Sequence, residues 1–169
     1  MRRSSRLVCV VGLLASLAMP SARADGVDDA QALLRKGQAA QALERVDALL
    51  KRDPKDIRAR FLRGVILSEQ QKANEAISVF RSVSDDRPEL PEPYNNLGVL
   101  YAGMGRYDEA RRALETAILA DPKYATAHEN LGDVYARMAA RSYEQADKLA
   151  PKVSTARDKL KLIDQLFTK

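Results

Sequence analysis

The sequence predicts an all-α fold, a right-handed solenoid of helix-turn-helix repeats closed by a C-terminal capping helix, and three observations carry that prediction. Pro54, Pro88 and Pro122 stand 34 residues apart in matching frames. A fixed period of that length marks units that cannot bury their apolar faces alone and therefore stack on their neighbours. Small residues recur in the same frame, Gly64 with Gly98 and Ala42 with Ala76 and Ala110, where two helix backbones must approach closely. The chain then ends in a segment with Leu160, Ile163 and Phe167 on one helical face and Leu162 and Leu166 beside them, the spacing of an amphipathic helix.

The first copy, 23–56, keeps Ala30, Leu33, Gly37, Ala42, Val46, Leu49 and Pro54, and its irregular start suits the outermost unit of a solenoid. The second, 57–90, keeps Gly64, Leu67, Ala76, Phe80, Val83 and Pro88, but Arg60 and Arg63 stand where an aromatic residue and a Leu are expected. Phe61 and Leu62 are the candidates to compensate. The third, 91–124, is the most regular, and Gly105 before Arg106-Tyr107 supplies the left-handed turn between its helices. The fourth, truncated at 125–153, begins in register with His128, Leu131-Gly132 and Tyr135, yet Pro151 follows Pro122 by only 29 residues. The missing stretch is the turn, so this segment reads as one long helix or as two with a tight kink near Ala139-Ala140. A last helix from Ser154, as N-cap, to Phe167 caps the stack or docks to a partner or second copy.

Tyr94, Leu97-Gly98, Tyr101, Ala110, Leu114, Ala117 and Pro122 fill the aromatic, Leu-Gly, Tyr, Ala, Phe, Ala and Pro slots of a tetratricopeptide repeat, and residues 91–124 resemble that family closely. The segments PELPEPYNNLGVLYA and ATAHENLGDVYARMA behind an export signal resemble short exported tetratricopeptide proteins of proteobacteria. The resemblance implies a concave groove, lined by the first helix of each repeat, that holds a peptide or protein segment. Carried over by register, its positions are Gln31 and Arg35, then Arg58, Phe61, Val65 and Glu69, then Glu92, Asn95, Val99 and Ala102, and last Thr126, Glu129, Asp133 and Arg137. The groove so read has a polar or basic entrance, an apolar middle at Phe61, Val65 and Val99, and an acidic far end. The expected ligand carries one or two apolar anchors and a basic flank; Phe61 has a second reading, as a residue packed between helices in place of the missing Leu at 63.

Cytosolic co-chaperones of the family grip an acidic carboxyl-terminal tail with Lys, Asn and Arg. Here those sites hold Val27 and Gln31, Phe61 and Val65, Asn95 and Val99, Glu129 and Asp133, which disfavours an acidic-tail ligand. The resemblance thus implies a non-enzymatic adaptor or scaffold. The alternative is an assembly component that oligomerises or docks through its convex face or last helix.

Arg2, Arg3 and Arg6, the apolar run Leu7 to Met19, Pro20 and Ala22-Arg23-Ala24 form the charge, core and small-residue pattern of a secretory signal. Cleavage after Ala24 leaves 25–169 as one repeat domain in the periplasm, where folding or assembly machinery of the cell envelope would be suitable partners. The full chain holds 28 basic and 23 acidic side chains. Four of the basic ones, and none of the acids, lie before Asp25, so the remainder carries 24 against 23. That balance, with charges intermixed along helices, disfavours nucleic-acid binding. The 13-residue apolar run is shorter than the roughly 20 residues of a spanning helix, so no integral membrane anchor is expected.

Cys9 leaves with the signal, and with it any disulfide or thiolate chemistry. One His, no remaining Cys and no Gly-rich phosphate loop leave no catalytic, metal or cofactor site to assign. His128 takes the slot of Tyr94 and is expected to pack between helices. Glu129 and Asp133, one turn apart, read as a solvated acidic face in preference to a cation site.

Overall fold

The computed structural model describes residues 21–152 and 155–168, with side chains from Gly26 onward. The expected signal up to Pro20, with Cys9, and the Ser154 cap lie outside them. Eight helices are described: α1 (Ser21–Arg35), α2 (Ala39–Arg52), α3 (Ile57–Glu69), α4 (Ala73–Asp86), α5 (Pro91–Gly103), α6 (Tyr107–Ala120), α7 (Ala125–Leu149) and α8 (Ala156–Leu166). Consecutive helices pair as hairpins and each hairpin packs on the next, the stack expected from the period.

Each of the first three hairpins turns through one left-handed residue, Gly37 (φ 75°), Gln71 (φ 61°) and Gly105 (φ 72°). The next amide reaches back five residues, Gln38 to Leu33, Lys72 to Leu67 and Arg106 to Tyr101, at 2.9–3.0 Å, closing the carbonyls a helix end leaves open. The fourth counterpart, Ala139, lies inside α7, which runs unbroken for 25 residues. Of the two readings of this segment, the single long helix is the one formed.

The small residues do what their size permits. A Cβ on Gly64 would lie 2.7 Å from Phe80 Cε1, and one on Gly98 would lie 2.5 Å from Leu114 Cγ. Phe80 and Leu114 are fully buried, as are Ala42, Ala76 and Ala110, so in the second and third hairpins the second helix seats a large apolar side chain against the bare backbone of the first.

At the fourth repeat this packing stops. Gly132 has nothing within 4 Å of where a Cβ would be. His128, expected to pack between helices, is instead exposed, its Nε2 3.1 Å from the Pro122 carbonyl oxygen. The reason is that α7 continues straight, so no second helix folds back over its first half. α8 returns antiparallel along the second half: Arg157 pairs with Asp147 at 3.1 Å, Lys159 lies 5.0 Å over Tyr143, and Arg137 lies 3.9 Å over Phe167. The cap runs Ala156–Leu166, with Thr155 at the N-cap position, and Leu162 and Leu166 face outward.

Candidate interaction groove

The first helices of successive repeats, α1, α3, α5 and α7, line one side of the stack, and the groove positions fall into two classes of depth. Arg35, Glu69 and Glu129 are exposed, while Gln31, Arg58, Glu92, Thr126, Asp133 and Arg137 are half-buried. These form a rim. Phe61, Val65, Asn95, Val99 and Ala102 are buried, between 0 and 7% exposed, and form a closed floor.

That burial corrects the expected apolar middle. The Phe61 ring packs on Phe80 with centroids 5.5 Å apart and a 59° tilt, so Phe61 takes its second reading, packing between helices. Gly64 lets Phe80 descend onto α3, and Phe61, one turn away on the same helix, closes beside it. Val65 is buried in the same core, and Val99 is 7% exposed. Asn95, expected to contact ligand, instead accepts at Oδ1 from Asn130 Nδ2 at 2.8 Å, tying α5 to α7. Asn130 carried no signal in the groove register, because it sits one position inside the face assigned to ligand.

At the entrance Arg58 pairs with Asp28 at 2.8 Å, while Arg35 is exposed. At the far end Arg137 is covered by Phe167. Acidic groups remain along the rest of the rim at Glu69, Glu92, Glu129 and Asp133. Partial desolvation raises the carboxyl pKa of Glu69, of Glu92 and of Asp133; beside Asp133, Glu129 adds to the rise and Arg137 opposes it. A carboxylate that has lost part of its water is stabilised more by an arriving cation than a fully hydrated one. At the α5 end, Glu92 Oε2 and the Tyr124 hydroxyl are buried without a hydrogen-bond partner. Among the described residues no group of three or more His, Cys, Asp or Glu could hold a metal.

The departures at Arg60 and Arg63 have a structural outcome. Arg60 bonds Asp86 and reaches Ser82 Oγ at 2.5 Å, and Arg63 Nε donates to Asp47 at 2.8 Å. An open pocket of about 570 Å³ remains between α2, α3 and α4, where the third repeat has Tyr94 and Leu97.

Two profiles described as tetratricopeptide repeat match residues 27–91 and 67–131, and together they span most of the stack. The chain belongs to the tetratricopeptide repeat family. It is similar to the probable UDP-N-acetylglucosamine–peptide N-acetylglucosaminyltransferase SPINDLY of Arabidopsis thaliana, 34% identical over 110 residues, which are 65% of this chain and 12% of that protein. The chain therefore spans about an eighth of the length of that relative. Among solved structures, MamA of Desulfovibrio magneticus RS-1 superposes with TM-score 0.60 at 21% identity, covering 85% of this chain and 75% of that one. The second tetratricopeptide domain of human RPAP3, solved with the HSP70 peptide SGPTIEEVD, superposes with TM-score 0.61 at 19% identity, covering 69% of this chain and 98% of that one. At these identities the structural likeness establishes the solenoid fold.

Proposed function

We propose that this tetratricopeptide protein is a non-enzymatic adaptor of the periplasm, exported with cleavage after Ala24, that holds a peptide segment of a partner protein in its concave groove. The observation that carries the reading is the acidic rim, Glu69, Glu92, Glu129 and Asp133, set above a floor sealed by Phe61, Val65 and Val99. A sealed floor offers no pocket for an apolar anchor, so the ligand is recognised through charge: an extended segment rich in Lys or Arg. The RPAP3 domain was solved with an acidic peptide; the carboxylates of this rim would repel such a tail. The transferase name of SPINDLY belongs to a protein of which this chain matches a small part, and no catalysis is proposed here. No helix among the described residues is long and apolar enough to cross a membrane, and envelope folding or assembly machinery is the partner class that suits the compartment.

The test is photo-crosslinking in living cells from a probe at Glu129, with a probe at Lys51 on α2 as control, followed by mass spectrometry. Fractionation and N-terminal sequencing of the same material check export. Adducts from Glu129 alone, in the periplasmic fraction and weakened by added salt, are the expected result. Equal labelling from Lys51, or a cytoplasmic location, would end the reading. A second reading, assembly through the last helix, is favoured by the outward leucines Leu162 and Leu166, 63 and 64% exposed; adducts confined to a probe at Leu166 would select it.

A further inference from the structure

The third and fourth repeats begin alike and finish differently, and the difference leaves a vacancy of defined shape. In the third, Leu114 sits on Gly98, and Tyr101 is held between Arg81 and Arg106, whose guanidinium carbons lie 5.9 and 4.7 Å from its ring centroid. Tyr101 is 5% exposed.

In the fourth, Tyr135 keeps the contact from the preceding hairpin, its hydroxyl 3.3 Å from Glu115, the counterpart of Arg81. The counterpart of Arg106 is Ala140, inside α7, and among the described residues no cation lies over the Tyr135 ring, which is 48% exposed. Gly132 is bare and Leu131, buried in its counterpart Leu97, is half-buried. Leu119, one turn beyond Glu115 on the same face of α6, is 82% exposed and extends the apolar surface. α8 leaves Gly132 bare: Phe167, just past its end, lies over Arg137, about 7 Å along α7 from Gly132 at 1.5 Å per residue.

We infer that the face of α7 formed by His128, Leu131, Gly132 and Tyr135 is a docking slot for an amphipathic helix of a partner protein, which seats a large apolar side chain on Gly132 and lays an arginine or lysine over Tyr135. The chain itself supplies the template, because α6 and its N-cap residue fill the equivalent slot of the third repeat with Leu114 and Arg106, eight residues apart. Glu115, at the Tyr135 hydroxyl, is already held by Arg111 at 2.9 and 3.0 Å, so it is the open face of the Tyr135 ring that receives the incoming cation.

A second copy of the chain fits less well. Leu166 of α8 has Asp158 eight residues ahead, a carboxylate where the slot asks for a cation. The exposed Leu119 and Leu149 do have arginines at that spacing, but Arg111 is bound to Glu115 at 2.9 and 3.0 Å and Arg141 lies 5.3 Å over Tyr107.

The probe is a fluorescent peptide of residues 105–120, GRYDEARRALETAILA, held helical by a staple on its outer face to remove the nucleation cost, titrated against the purified protein by anisotropy. The expected result is saturable one-to-one binding that falls at least about tenfold on Gly132→Leu, a change that fills the slot. Glu69→Lys on the groove rim leaves that binding unchanged, which separates the slot from the groove. Replacing the leucine that corresponds to Leu114 by Asp in the peptide abolishes it. Gly132→Leu meets open space in the free protein, so its melting temperature is not lowered. Equal binding to Gly132→Leu, no saturable binding, or a dimer in light scattering that Gly132→Leu converts to monomer would each overturn the inference, the last by giving the slot to a second copy.

Discussion

Leu114 lies so close over Gly98 that a methyl group added there would come within 2.5 Å of Leu114 Cγ and 2.8 Å of Cδ2. Leu114 is fully buried and cannot swing away, so Gly98→Ala should force the α5–α6 hairpin apart at a cost of about 1–3 kcal/mol. Gly64→Ala, pressed on the Phe80 ring, should behave alike. Gly132→Ala meets nothing and should stabilise the chain by about 0.5–1 kcal/mol through helix propensity alone. Urea denaturation of the three variants reads the contrast; a Gly132→Ala loss as large as that of Gly98→Ala would mean that the slot on α7 is filled.

The hydrogen bond from Asn130 to Asn95 is the polar seam between the third and fourth first helices, at 2.8 Å and out of solvent. Asn130→Ala leaves both polar atoms of the Asn95 amide without a partner, since Nδ2 already lacks one. A loss of about 1–3 kcal/mol is expected. Replacing both residues by Leu, similar in shape, should recover most of it, and a double-mutant cycle measures that coupling. Additive losses would show that the seam contributes nothing as a pair.

The stack was legible because its determinants are local and periodic: prolines and small residues recurring every 34 positions, with a turn glycine in the first and third repeats. Groove depth was not. Register tells which side of a helix a residue occupies, but whether Phe61 stands proud or closes the floor depends on how far Phe80 descends, which Gly64 decides from across the hairpin. His128 was assigned by its slot, an inference that presumes a second helix folding back; α7 runs on instead, and the residue faces solvent. The rim acids were legible as charges, since exposure is the ordinary state of such residues.

Gln71 was not legible at all. Its counterparts Gly37 and Gly105 announce the left-handed turn, whereas nothing in the identity of a glutamine marks φ 61°. A side chain there strains against its own backbone by about 1–2 kcal/mol, partly offset by the extra freedom a glycine has when unfolded. Gln71→Gly should therefore raise stability by about 0.5–1 kcal/mol, and the same change at Gln70, the α3 C-cap with φ -76°, should lower it. A thermal melt of the pair decides; equal effects at both positions would place the strain elsewhere.

Tyr124 gives the fold an alkaline limit. Its hydroxyl is buried without a partner, and desolvation, reinforced by Glu92 and Asp121, pushes its pKa from 10.0 up to about 12. The folded chain holds this proton more tightly than the unfolded one, so the contribution is fully present below pH 10 and is lost as pH rises from 10 toward 12. Ultraviolet titration of tyrosinate should show one late-ionising group, absent in Tyr124→Phe, and the phenylalanine variant should lose less stability than the parent across that window. At neutral pH the substitution should leave stability unchanged or slightly higher, because it removes a polar atom that nothing satisfies. Identical alkaline unfolding of the two proteins would assign the limit to another group. The Glu92 carboxylate adds to that displacement, so Glu92→Gln with Tyr124 in place should let the phenol ionise at lower pH and narrow the window, because it removes a charge that helps hold the phenol neutral.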